Sequence, residues 1–239
     1  MLISLAAEKV TTIFTFNITN SVLGTLLVDG LIIILAISVN VVGVKKIPGA
    51  VQNFVEIITE AFLDFCDSIA HSKSRVFFPI IFTLFLFIIV SNWLALLPGF
   101  SSILIKEAGR SFPIFRSPSA DLNTTLALGI FSITAVQYFG FRYLGLSYLS
   151  KYINVKGPID FMVGLLELVL ELAKVASFGF RLFGNIFAGE VLLIVAGTLI
   201  PLFSPIPVLG MELFVGFIQA LVFAILTLVF LSMSVEKAH

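Results

Sequence analysis

The sequence predicts an all-α integral membrane protein with about five transmembrane helices, one interfacial amphipathic helix and a long tilted helix hairpin near the C-terminus. Three observations predict it. Of the 239 residues, 59% are apolar and 12% charged, and the mean hydropathy is +1.14; soluble domains are about 45–50% apolar and about 25% charged. The apolar residues gather into runs of about 20, the length that crosses a hydrocarbon core. Those runs are continuous rather than alternating with period two, which argues against a transmembrane barrel.

The same arithmetic excludes several functions. Lys+Arg and Asp+Glu balance at 14 each, so there is no basic field for nucleic acid. The single cysteine, Cys66, rules out an internal disulfide or a cysteine metal cluster. His71 and His239 are too far apart in sequence to nominate a metal site, and no cofactor motif is present. Met1–Val10 lacks the short apolar core and small-residue cleavage site of a signal peptide. Residues 1–239 read as one membrane domain.

In chain order, the first span falls near Ser21–Val44 and contains one acid, Asp29. Pro48–Ala70 is different. Val51, Phe54, Val55, Ile58, Phe62, Phe65 and Ile69 recur at three- and four-residue steps, opposite Asn53, Glu56, Glu60, Asp64 and Asp67. That pattern predicts an amphipathic helix lying in the interface, with Pro48 suited to its first turn. The second span runs about Phe77–Leu97 and stops at Leu97-Pro98-Gly99; the third is Leu122–Phe141, uncharged throughout. The fourth lies within Ile159–Ile200 and the fifth covers about Pro207–Val235. Outside the spans, Lys9, Lys106, Arg110 and Arg116 fall on one side. Lys45, Lys46, Lys73, Arg75, Arg142, Lys151, Lys156 and Lys237 fall on the other. By the positive-inside rule the N-terminus is then outside and the C-terminus cytoplasmic.

The fourth segment carries the chemistry. Its 42 residues would make a helix of about 63 Å, twice a ~30 Å core. Its first half holds Asp160, Glu167, Glu171 and Lys174, so a tilted or partly interfacial helix is expected. Arg181 sits among Phe178, Gly179, Phe180, Leu182, Phe183 and Gly184. A guanidinium stays protonated, and placing one at membrane depth costs at least ~2.5–3.5 kcal/mol, so it must face protein or water. At ~100° per residue, Lys174, Ser177, Asn185 and Glu167 all fall within about 40° of Arg181. Glu190 falls about 180° away and about 13.5 Å further along, which suggests a separate aqueous route. If the chain reverses near Pro201–Pro205, Glu190 comes level with Glu212, and Arg181 with Gln219, whose amide is then expected to reach the arginine. Two neighbouring carboxyl groups in a poorly hydrated cleft do not both ionise readily, a property suited to proton relay.

The stretch Ser177-Phe-Gly-Phe-Arg181-Leu-Phe-Gly-Asn185-Ile-Phe-Ala-Gly-Glu190 resembles the arginine helix of subunit a of F-type ATP synthases. Pro118-Ser-Ala-Asp121-Leu-Asn-Thr-Thr-Leu-Ala-Leu-Gly129, Gln219-Ala-Leu-Val-Phe and Leu231-Ser-Met-Ser are similar to the same family's preceding span and last helix. The resemblance implies a stator beside a rotating ring of subunit c, held by the subunit b peripheral stalk. Two offset proton half-channels would couple proton flow to ring rotation and ATP synthesis. By motif position it implies that Arg181 meets the ring carboxylate and blocks proton leak. Asn185, Glu190, Glu212 and Gln219 would line the outer half-channel, Glu167 the inner one; Lys174 and Ser177 lie on the same polar face, and Asp121 near the outer mouth. Glutamate at both 190 and 212 departs from members with a histidine at one of them. Ala188-Gly189-Glu190 is closer to bacterial members, implying a bacterial plasma (inner) membrane. The sequence has no G-x-x-x-x-G-K-[ST] loop, so nucleotide chemistry is expected elsewhere in the complex. The competing readings are an ion-coupled secondary transporter and a structural membrane scaffold; the lack of an evident internal repeat argues against the first.

Overall fold

The computed structural model of the chain describes residues 7–13, 16–42, 49–97, 100, 104–107, 110–152, 157–199 and 203–236. Within these lie six α-helices: α1 (Asn20–Val42), α2 (Ala50–Ala70), α3 (Ser74–Leu96), α4 (Leu122–Leu144), α5 (Pro158–Leu199) and α6 (Pro205–Val235). All but α2 are long and apolar enough to cross a membrane. The second span starts earlier than predicted, at Ser74, and the third runs past Phe141 to Leu144. Gly43, Val44, Pro48 and the predicted reversal at Pro201 lie outside the described residues, as do the loop cations Lys45, Lys46, Lys156 and Lys237.

Local chemistry explains the helix ends. Asp121 is the N-cap of α4, its Oδ1 accepting the Asn123 backbone N–H at 3.0 Å. Gly145 ends that helix at φ +59°, a conformation that favours glycine, and a 3-10 helix over Gly145–Lys151 follows. Between α2 and α3, the His71 backbone N–H returns to the Asp67 carbonyl and the Ser74 hydroxyl donates to the Asp67 carboxylate. Pro158 opens α5 and Pro205 opens α6, both at the first-turn position where a missing N–H costs nothing.

The core is built from one face of each of four spans. Phe77, Ile81, Leu84, Phe85 and Ile88 of α3 meet Ile133, Val136 and Phe139 of α4, Phe178 and Leu182 of α5, and Phe223, Leu228 and Leu231 of α6. Lipid tails are as apolar as these side chains, so packing and polar contacts must hold the helices together. The buried Ser132 and Thr227 hydroxyls bond at 2.8 Å, and the Asn92 amide donates to the Gly216 carbonyl at 3.0 Å. Gly216 lets α6 approach α3 there, since a Cβ would crowd Asn92.

Two sets of contacts fix the ends of the bundle. At one end Ser21 Oγ donates to Asp121 Oδ2 at 2.6 Å, Ser117 Oγ to the Ser91 carbonyl at 3.2 Å, and the Arg116 N–H to the Asn20 carbonyl at 3.3 Å. The starts of α1 and α4 and the end of α3 are therefore together. At the other end Lys73 Nζ donates to the Val235 carbonyl at 3.3 Å and stands 4.3 Å over the Tyr143 ring. The start of α3 and the ends of α4 and α6 meet there, so successive spans alternate in direction.

Two features differ from the sequence reading. Short antiparallel pairs of strands are present: β1 (Lys9–Ile13) with β2 (Phe16–Thr19) ahead of α1, and β3 (Leu104–Glu107) with β4 (Arg110–Pro113) between α3 and α4. Lys-Val-Thr-Thr-Ile and Phe-Asn-Ile-Thr are rich in β-branched residues, but runs of four and five were too short to separate from loop. The apolar face of α2 is also only half used. Phe62, Cys66 and Ala70 are buried, with Phe65 and Ile69 packed beside them, whereas Phe54 is exposed.

Candidate functional site

Helix α5 is one unbroken helix of 42 residues. Its buried positions include Glu171, Phe178, Leu182, Gly189 and Ala196, steps of four and seven that form one stripe against the bundle. Ser177, Phe180, Arg181, Gly184, Asn185 and Ala188 form the exposed face beside it. A Cβ at Gly184 would meet no atom within 4 Å. Arg181 thus projects from a face lined by small residues, where another helix can come close. Among the described residues its one side-chain bond is to Ser177 Oγ at 3.4 Å. Among the described residues no carboxylate pairs with it: the ion pairs there involve Lys151 and Lys174.

The expected contact between Gln219 and Arg181 is not made. Gln219 Oε1 accepts instead from Asn185 Nδ2 at 2.8 Å, one turn along α5 from the arginine. Gln219 is only 4% exposed and faces the bundle, whereas Arg181 turns outward, so level alone did not bring them together. Asn185 links the two environments, being exposed on the arginine face while bonded to a buried amide.

Glu190 and Glu212 do come together. With Asn92, Asn185, Ile186, Leu193 and Val215 they line a cavity of about 30 Å³ between α3, α5 and α6, enough for a water molecule. Glu212 lies over the Gly189 backbone. Among the described residues Asn92 Oδ1 and Glu212 Oε1 are buried without a hydrogen-bond partner, as is Gln219 Nε2 nearby on α6. Arg116 is within electrostatic range of Glu190, and Glu190 of Glu212. A water molecule in the cavity would satisfy buried polar atoms of this kind.

A second polar group lies about 10–21 Å before Arg181 along α5. Lys151 Nζ reaches Glu167 at 2.5 Å and Glu171 at 3.6 Å; Lys174 Nζ reaches Glu171 at 2.9 Å and stands 4.7 Å over the Phe230 ring. The Tyr148 and Tyr152 hydroxyls both donate to Gln137 Oε1, at 2.9 and 3.0 Å. Lys174 and Glu167 are thus both tied down by ion pairs: the Glu171–Lys174 pair follows from i,i+3 spacing on the helix, whereas the Lys151–Glu167 pair does not. Asp121 lies at the other end, where its carboxylate caps α4 and accepts from Ser21.

Four residues were missed. Asn92, an amide within an uncharged span, and Glu171, one turn from Glu167, both carried a signal in the sequence. Arg116 and Lys151 carried none, because their approach depends on how the connecting segments fold back.

Comparison with known proteins gives a consistent answer. The family described as ATP synthase A chain matches residues 12–232. Over 231 residues the chain is 35% identical to ATP synthase subunit a 1 of Syntrophotalea carbinolica, covering 95% of this chain and 88% of that one. Over 201 residues it is 32% identical to ATP synthase subunit a of Syntrophobacter fumaroxidans, covering 82% and 77%. With a family match over nearly the whole length and two such relatives, this multi-pass helical chain belongs to the ATP synthase A chain family.

Proposed function

We propose that this chain is the stator of a rotary ATP synthase membrane sector, presenting Arg181 to a ring of subunit c between two offset proton half-channels. The observation that carries the reading is an intramembrane guanidinium on an exposed face of α5 that, among the described residues, bonds only Ser177 and pairs with no carboxylate. Such a charge is held ready for an acid on another protein.

The outer route runs through the cavity of Glu212, Glu190 and Asn92, then by the Asn185–Gln219 bond toward the arginine face. The inner route runs along Glu167, Glu171 and Lys174. A protonated ring carboxyl passes through lipid; an ionised one does so only at heavy desolvation cost. Arg181 attracts the ionised form and repels a proton jumping straight between the half-channels, so net transport requires rotation. Each proton crossing 100 mV releases ~2.3 kcal/mol for the ring to carry as torque. The nucleotide chemistry belongs to other subunits, and the subunit b stalk holds this chain against that torque. The cation excess on the side of Lys73, Arg75, Arg142 and Lys151 supports a cytoplasmic C-terminus in a bacterial inner membrane.

Arg181→Ala tests the reading. ATP-driven acidification of inverted membrane vesicles is expected to be lost while the complex still purifies intact. Unchanged pumping would refute it, and failed assembly would favour a scaffold.

A further inference from the structure

Asn92 lies in the seam between α3 and α6 and is 2% exposed. Two bonds across the seam fix it. Its own Nδ2 donates to the Gly216 carbonyl at 3.0 Å, and the next residue, Trp93, donates its Nε1 to the Leu213 carbonyl at 3.1 Å. A carbonyl only accepts, so the amide nitrogen of Asn92 must face α6, which settles where its oxygen lies. The Gly216 carbonyl already belongs to the hydrogen-bond ladder of α6. The bond therefore aims the side chain rather than rescuing a backbone group. Asn92 lines the cavity shared with Glu190 and Glu212, and among the described residues its oxygen is buried without a partner. Leucine would fill the same seam with no acceptor to satisfy, so packing alone does not account for an amide here.

The Glu212 carboxyl borders the same cavity, and its Oε1 is also buried and unpartnered among the described residues. Two acceptors around a space of about 30 Å³ call for one small occupant that donates twice. Water fits the volume and the chemistry. With both hydrogens committed, its lone pairs are left for the third polar wall, Glu190. The two acids also differ in what lies beyond them. Arg116, at the bundle end that holds the starts of α1 and α4, is within electrostatic range of Glu190. Glu212 instead leads along its own helix face to Gln219, seven residues on, and so to Asn185.

We propose that Asn92 is a positioning residue of the outer route, orienting one bound water that carries each incoming proton from Glu190 to Glu212. This role presupposes the stator reading and gives its outer route an order. In the step, the O–H bond of protonated Glu190 breaks as its proton joins the water oxygen. One O–H bond of that water breaks as its proton joins the Glu212 carboxylate. Water is regenerated, Glu190 is left ionised for the next proton, and Asn92 accepts a hydrogen bond throughout without taking up a proton.

The test uses the intact complex. A density map that resolves ordered water is expected to place one water within hydrogen-bond reach of both Asn92 Oδ1 and the Glu212 carboxyl. Asn92→Leu keeps the bulk and removes the acceptor. It is expected to slow ATP-driven acidification of inverted vesicles about tenfold, the equivalent of ~1.4 kcal/mol, and to raise the solvent deuterium isotope effect on that rate. In a Glu212→Gln background the same substitution is expected to add no further loss, because the water then has no acid to serve. A role in helix packing alone would make the two losses independent. Independent losses, parent-rate pumping by Asn92→Leu, or a parent map without this water would overturn the inference and leave the stator reading to Arg181→Ala. A sodium requirement for pumping would overturn it too, by putting a cation where the water is placed. Should Asn92→Leu fail to assemble, the map of the parent complex decides.

Discussion

The carboxylate of Glu212 on α6 rests directly over the backbone of Gly189 on α5, in the space that a side chain at position 189 would occupy. Glycine at 189 is therefore a condition for placing Glu212 beside Glu190. The two acids share one small cavity because their helices come this close, not merely because they are level in the hairpin.

Gly189→Ala is expected to separate site from fold. Alanine favours the helix by about 1 kcal/mol, and its methyl group displaces the Glu212 carboxylate, the end of a flexible side chain that can move with little cost to the fold. The chain should still assemble, while ATP-driven proton pumping falls about tenfold, the rate equivalent of ~1.4 kcal/mol. Pumping at the parent rate would show that Glu212 does not need this position.

Glu190→Gln and Glu212→Gln each keep shape and remove one titrating group from the cavity. Glu190 is within electrostatic range of Glu212, so removing either charge changes the surroundings of the other. Each variant is expected to move the pH optimum of pumping, and the double variant to flatten the pH profile rather than move it by the sum. Rates of vesicle acidification measured from about pH 5.5 to about pH 9, a range that brackets the titration of such a relay, check this. An unaltered profile in both single variants would remove the acids from the relay.

How much of this was legible follows from which contacts are local. The spans were readable because continuous apolar runs of about 20 residues have few alternatives in a bilayer. The Glu190–Glu212 juxtaposition was readable because a tight antiparallel hairpin fixes depth. Depth does not fix azimuth: level pairs Gln219 with Arg181, whereas Gln219 bonds Asn185. Lys151 reads in the sequence only as a loop cation; its pairing with Glu167 depends on a 3-10 helix folding back over α5. The hairpins were missed because two-stranded ribbons of four or five residues take much of their stability from what they pack on.

The ion pairs of Lys151 with Glu167 and Glu171 offer a stability measurement. Lys151 and Glu167 side chains are 41% and 26% exposed, so solvent screening limits their pair to about 1 kcal/mol or less. A double-mutant cycle of Lys151→Met and Glu167→Gln, read from thermal unfolding of the purified complex, is expected to give a coupling of that size that shrinks in high salt. Glu171 is more enclosed, at 10%, and keeps Lys174 as a partner when Lys151 is removed. A coupling well above ~1 kcal/mol, or one insensitive to salt, would place the Lys151–Glu167 pair deeper than its exposure indicates.

Cys66 gives a chemical reading of how firmly α2 is seated. Its side chain is fully buried in the contact of α2 with α3 and α6, and burial, reinforced by the neighbouring Asp67 carboxylate, pushes the thiol up to about 11. The thiolate is the reactive form. At pH 8 about 0.1% of such a thiol is ionised, against roughly a quarter of an ordinary one near 8.5. Alkylation by a membrane-permeant iodoacetamide is therefore expected to run about 200-fold slower than for a free thiol, before any cost of access. The rate should climb about tenfold per pH unit and level off only near pH 11. Phe62→Ala removes a neighbour that shares this buried cluster and is expected to speed alkylation at fixed pH by loosening α2. Rapid labelling of the parent protein at about pH 8, where so little thiolate exists, would mean that this half of α2 spends much of its time off the bundle.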